Sequence, residues 1–345
     1  MHRILKCAID TFPELEFNDP EHRIVFIKSL LMLCGAIKIL SRFSEKAIRS
    51  TLRPILESFL GKIGEALEHY SDDKEVYLTI CNFYCRSIKA LGPDFDQFFS
   101  RIATDCFNAF SKNIEYTKCL DVCSLSLTLM SAENSEAQKF IDENFTILAG
   151  LILDVVDIKN NYDITKSFAE LCSRIARKCK PDCITKSIHI KKIIILFTEF
   201  LMETIENDAN SEIVFFLNDL ICHKDIEVRE SMVDYIEYIG SAFIVAIPNM
   251  RSIVSQTFAK CLTKMCLEYP QIIPQCIDTA FQNPKFNEVQ NLKAPLTNCL
   301  IGFKENSRQF KMTILDFQSV MRGTGSPDLF IGREIQLHKA EICID

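Results

Sequence analysis

At 345 residues and 48% hydrophobic content, the chain can bury a continuous core but exceeds the size at which one globular core keeps growing, so it either splits into domains or extends as a repeat array. Its 10 Gly and 11 Pro are too few for an all-β fold, and neither GxGxxG nor GxxxxGK[ST] is present to cradle a phosphate. A net charge of −7 argues against nucleic acid as the main ligand, which needs clustered Lys and Arg, and favours basic partners.

Apolar residues then recur at helical spacing almost from end to end. The first predicted helix runs from about Arg23 to Leu40, with Ile24, Ile27, Leu30, Leu31, Cys34 and Ile37 on one face and Asp19-Pro20 as its start signal. The second spans about Ser44 to Tyr70, where Pro54 predicts a kink, and the third about Asp73 to Leu91, ended by Gly92-Pro93. Helices follow over about Pro93–Ser111, Tyr116–Ser131, Ser135–Asp157, Thr165–Lys178, Pro181–Ile205 and Asn210–Cys222. The last set covers about Ile226–Gly240, Phe243–Glu268, Pro270–Phe281, Phe286–Phe303 and Asn306–Arg322. Gly323, Gly325, Ser326 and Pro327 break the pattern, and residues 324–345 read as a mobile tail.

Two helices recur about every 40–47 residues, the period of HEAT and armadillo arrays. Helices apolar over more than a narrow seam disfavour a coiled coil. The expected fold is therefore an all-α solenoid, a superhelix of HEAT/armadillo-like antiparallel helix pairs over residues 1–323, in which each pair buries its apolar face only by stacking on its neighbours. The sharpest local signal is Lys224-Asp225-Ile226-Glu227-Val228-Arg229, followed by Met232, Ile236 and Ile239. An Asp-bearing turn leads into Val-Arg and an apolar stripe, as in the second helix of a HEAT repeat. The Asp is suited to cap the helix or bond a neighbouring turn, and the Arg to bridge carboxylates between stacked repeats.

Chemistry-bearing residues are sparse. Glu227, Glu230, Asp234 and Glu237 fall at i, i+3 and i+4 steps opposite the stripe of Val228, Met232, Ile236 and Ile239, and are the candidate cargo-binding residues; a merely solvated face is the other reading. Glu199, Glu203 and Glu206 form a similar, weaker set. The pairs Cys81/Cys85, Cys119/Cys123 and Cys179/Cys183 place two sulfurs on one helical face, but they lack the C-x2-C knuckle, and His69, His189 and His223 are scattered singly. Most of the 16 Cys sit in apolar stretches and read as small buried hydrophobes, with free thiols in a reducing compartment. No nucleophile elbow is present. The chain is expected to be no enzyme and to need no cofactor or metal; neither a membrane nor nucleic acid is expected among its partners. A HEAT-repeat scaffold subunit of a cytosolic multiprotein complex is one function such an array supports.

Several stretches in order resemble the carboxyl-terminal part of a β-karyopherin of the importin-β superfamily, closest to the branch of importin-13 and the transportin for Ser/Arg-rich splicing factors. They are Asn18-Asp19-Pro20 leading to Phe26-Ile27-Lys28; Thr51-Leu52-Arg53-Pro54-Ile55-Leu56 with the charged turn Ser71-Asp72-Asp73-Lys74-Glu75-Val76; Ile80-Cys81-Asn82-Phe83-Tyr84-Cys85-Arg86 closing in Leu91-Gly92; the Asp225-to-Gly240 segment; and Thr313-Ile314-Leu315-Asp316-Phe317 with Arg322. The resemblance spans about residues 1–323 and implies a nuclear transport receptor: a carboxyl-terminal arch that binds protein cargo and the Phe-Gly repeats of nucleoporins and shuttles between cytoplasm and nucleus. It further implies that the chain begins after the amino-terminal repeats that grip the GTPase Ran, which would be a partner of a full-length receptor. In this context Phe107, Phe110, Phe197, Phe200, Phe215 and Phe216 are candidates to line slots for Phe-Gly repeats. The helix Glu212-Ile213-Val214-Phe215-Phe216-Leu217-Asn218-Asp219-Leu220 matches the one that binds phosphorylated Ser/Arg segments in that branch, but it carries no arginine, so that specificity is not implied.

Overall fold

The structure, a computed structural model, describes residues 12, 15–17, 19–40, 45–129, 135–155, 158–179, 182–185, 187–205, 207–250, 254–328 and 332–333. Among them are sixteen α-helices and no strand. Most of the predicted mobile tail lies outside the described residues.

The chain divides into two compact units, residues 1–156 with 170–183 and residues 157–169 with 184–345. The first contains α1 (Pro20–Leu40), α2 (Glu45–His69), α3 (Lys74–Leu91), α4 (Phe99–Lys112), α5 (Lys118–Leu129) and α6 (Ser135–Leu153). Each helix packs on the one two places further on, so α1, α3 and α5 form one row and α2, α4 and α6 a second row beneath it. This is the stacking of a helical-repeat solenoid, in which each pair is covered by the next. Aromatic rings fill the seam: Phe12 stacks on Phe59 at 4.0 Å between centroids and lies 5.1 Å from Phe26, all three fully buried. Removing each such ring from water is worth roughly 1.5–3 kcal/mol.

Local sequence sets the joints. Asp73 accepts from the Glu75 and Val76 amides and caps α3. Arg23 of α1 grips the same carboxylate, with Nη2 also 2.9 Å from Glu75 Oε2, and so ties α1 to the turn before α3. Gly92 ends α3 at φ 56°, a conformation that any side chain would strain. The following 3₁₀ segment, Gly92–Phe98, replaces the first turns of the helix predicted from Pro93. Helix α2 runs through Pro54 without interruption.

The long helix α7 (Tyr162–Lys178) gives its first residues to the second unit and its last to the first, and α8 (Asp182–Thr185) follows it. The second unit continues with α9 (Ile190–Glu203), α10 (Asn207–Ile221), α11 (Ile226–Ser231), α12 (Val233–Ala246), α13 (Val254–Glu268), α14 (Ile273–Ala280), α15 (Lys293–Gly302) and α16 (Ser307–Met321). Here α9, α12 and α14 make one row and α10, α13 and α16 the other, with α15 linking α14 to α16.

Two breaks in this unit differ from the sequence pattern. The helix predicted over Phe243–Glu268 is two helices, because a 3₁₀ turn at Ile247–Asn249 contains Pro248. The freed carbonyls are met by α16: Gln318 Nε2 donates to Ile247 O at 2.7 Å and Met250 O at 2.6 Å, and Arg322 donates to Pro248 O and Met250 O. Gly240, predicted as a terminus, lies inside α12. A Cβ there would sit 2.6 Å from Cys276 Sγ and 3.0 Å from Met265 Cε, so the glycine is required by the close approach of α14 and α13. Gly323, at φ 69°, ends α16 as the sequence pattern predicts.

Candidate functional site

The predicted acidic stripe lies on α11 and α12. Asp225 caps α11, accepting from the Glu227 amide at 2.9 Å. The chain turns at Met232 between the two helices, yet the helical phase is kept. Val228, Met232, Ile236 and Ile239 are all buried, while Glu227, Glu230, Asp234 and Glu237 are all exposed on the opposite face. Glu237 accepts from Thr279 Oγ1 on α14 at 3.0 Å. Glu227, Glu230 and Asp234 form no ion pair with any described residue, and the apolar Ile226 and Val233 lie exposed among them. Arg229 differs from the HEAT expectation: it donates to His223 O at 3.2 Å instead of bridging carboxylates, because the turn folds back onto its own helix.

The weaker acidic set is occupied from within. Lys159 lies 2.7 Å from Glu199 and 3.8 Å from Glu203, and the Glu199 carboxylate holds the ammonium above its usual range. Glu206 is outside the described residues.

The thiols sort by helix row. Cys81 of α3 and Cys119 of α5 meet at 4.0 Å, a contact between neighbouring helices of one row. Burial pushes Cys81 and Cys119 above the usual thiol range, which disfavours the thiolate that metal binding or nucleophilic attack requires. Cys183 donates to Asp142 Oδ1 at 2.9 Å. Among the described residues, no group of three or more His, Cys, Asp or Glu is placed to hold a metal ion.

Of the six phenylalanines, Phe110, Phe197, Phe200 and Phe216 are fully buried, and Phe107 and Phe215 are half-buried. Phe107 and Phe110 line an apolar slot between α4 and α6 with Phe140, Phe145, Cys106 and Cys119. Its free volume is about 20 Å³, too small for an incoming aromatic ring, and Phe107 packs edge-on to Phe140 at 6.4 Å.

The sequence pattern gave no sign of a larger feature. Between α2 and α4 lies a polar groove of about 470 Å³, lined by the acceptors Asp105, Glu65, Glu68 and Asn108 and by the cations Arg101 and Lys112. Asp105 reads in sequence as one more acidic residue of an amphipathic helix. In the structure it is 8% exposed, and the fully buried Tyr84 of α3 donates to Asp105 Oδ2 at 3.0 Å.

No protein-family model matches the chain, and no curated protein matches it at a significant level.

Proposed function

We propose that the chain is a nuclear transport receptor of the importin-β type that holds protein cargo and nucleoporin Phe-Gly repeats and catalyses no reaction. The observation that carries the cargo reading is the stripe on α11 and α12, where Glu227, Glu230 and Asp234 stand exposed, without an ion pair among the described residues, beside the apolar Ile226 and Val233. Carboxylates alternating with apolar side chains suit a partner surface of Lys or Arg set among aliphatic residues: the charges steer and orient it, and the apolar contacts slow its release. The array supports the same reading. Within each unit the described helices pack mainly on their neighbours in a row, so small shifts between pairs cost little and a large surface can adapt to a folded cargo.

Two measurements test the proposal. Reversing Glu230 and Asp234 to Lys should weaken capture of a basic cargo at least tenfold, and unchanged affinity would remove the stripe from the mechanism. Retention on immobilised Phe-Gly repeats is the second expected result. A chain that is not retained is better described as a HEAT-repeat scaffold subunit of a cytosolic complex.

A further inference from the structure

The groove between α2 and α4 holds an unusual arrangement of charge. One lining carboxylate, Asp105, is buried, while the only cation it meets among the described residues, Arg101, has a side chain 53% exposed and reaches it at 3.3 Å from one turn away on the same helix. The guanidinium lies across the backbone of α2 at Gly64, where a Cβ would come 2.4 Å from Arg101 Nη2 and 3.3 Å from Asp105 Oδ1. Glycine at position 64 therefore leaves the space in which a guanidinium rests over a buried carboxylate. Arg before Asp at i, i+4 is the weaker orientation for a helical ion pair, and a largely exposed side chain gives up rotamer freedom to make it. Asp105 keeps the Tyr84 hydroxyl whether or not Arg101 is in place. Burial raises the Asp105 carboxyl above its usual range, so the carboxylate is short of compensating charge even with Arg101 beside it.

We propose that this groove is a receptor for an arginine side chain of a partner polypeptide, and that Arg101 is the built-in placeholder that the partner's guanidinium displaces. The incoming guanidinium takes the position over Gly64, bonds Asp105 Oδ1, and reaches the exposed Asn108 amide and Glu68 carboxylate with its remaining N–H groups. Arg101 swings to solvent, where it is already half exposed. The occupant is an arginine because the fork of donors matches three acceptors set around one cavity; a lysine ammonium would satisfy fewer. The groove lies in the first unit and does not depend on the acidic stripe of the second or on the transport reading.

The test uses the whole chain and a fluorescent Gly-Ser-Arg-Ser-Gly peptide, with the same peptide carrying neutral citrulline as control. Arg101→Gln should tighten the arginine peptide at least fivefold, because the internal competitor is gone. Asp105→Asn should weaken it at least fivefold while keeping a partner for Tyr84. Gly64→Ala should weaken it too, by closing the space, and an unchanged circular-dichroism melt of this variant separates lost binding from lost fold. The citrulline peptide should bind no variant. An Arg101→Gln protein that binds the arginine peptide no better than wild type, or not at all, overturns the proposal, as does equal binding of the citrulline peptide. The stripe variant Glu230→Lys/Asp234→Lys should leave this binding unchanged, so failure of either idea is visible without the other.

Discussion

The joint before α3 in the first unit and the Pro248 break in the second solve one problem by different chemistry. Each must fix a turn of backbone between packed helices and satisfy its orphaned polar groups. At Asp73 the means are ionic and half-exposed: a carboxylate caps the helix, and Arg23 from the neighbouring helix clamps that carboxylate, with side chains 22% and 30% exposed. At Pro248 the means are a neutral buried amide and a guanidinium, with Gln318 reaching two carbonyls at once. The first joint draws its partner from the adjacent repeat and the second from a helix some seventy residues away. Strength and pH response should differ accordingly.

The largest effect is expected at the buried joint. Gln318→Leu keeps the volume but removes the strong donor from Ile247 O and one of two donors from Met250 O. Each carbonyl keeps one weaker or shared donor, Met250 N–H for Ile247 O and Arg322 for Met250 O, so the variant loses two buried hydrogen bonds at about 0.5–1.5 kcal/mol each, and denaturant titration should show a loss of about 2–3 kcal/mol. Because an amide does not titrate, the loss should be the same at pH 4 as at pH 7. A loss under about 1 kcal/mol would mean that Arg322 alone holds the turn.

Asp73→Ala comes next, at about 2 kcal/mol, combining a lost cap with a lost, partly screened ion pair. This one should depend on pH. The Arg23 guanidinium holds the Asp73 carboxyl below its usual range, so the folded pKa is depressed. The contribution is therefore complete above the unfolded value of about 4 and is lost as pH falls through the folded value. The gap between wild type and variant, measured by urea titration, should close below about pH 4. A gap that persists in acid would assign the effect to packing.

How much of this was legible beforehand follows from where the partners sit. The helix at Lys74–Leu91 and its Gly92 stop were readable because termination is local, while Asp73, read as the helix's first residue, is its cap. The stripe of Glu227, Glu230, Asp234 and Glu237 was readable because period and phase survive the turn at Met232. The break at Pro248 was not read, since apolar periodicity continues through Phe243, Ile244 and Val245, and the groups that make the break tolerable lie on α16. Gly240 looked like a terminator, but Cys276 and Met265 pack against it. Asp105 was not singled out, because its burial, its bond from Tyr84 and the open wall at Gly64 are properties of helix stacking, which no window along the chain contains.

The smallest effect isolates what the neighbour contributes at the first joint. Asp225 caps α11 much as Asp73 caps α3, accepting from the amide two residues on. Among the described residues the Asp225 carboxylate pairs with no cation of an adjacent repeat, and the nearby Arg229 bonds the carbonyl of His223. Asp225→Ala should therefore cost the cap alone, about 1 kcal/mol. The difference between the two Asp→Ala variants then measures the clamp, and Arg23→Gln, which keeps the Asp73 cap, should reproduce that difference by itself. If Asp225→Ala costs as much as Asp73→Ala, the Arg23 clamp adds nothing to the stack. The Asp-bearing turn would then be a helix start in both units, and adhesion between repeats would rest on the apolar rows.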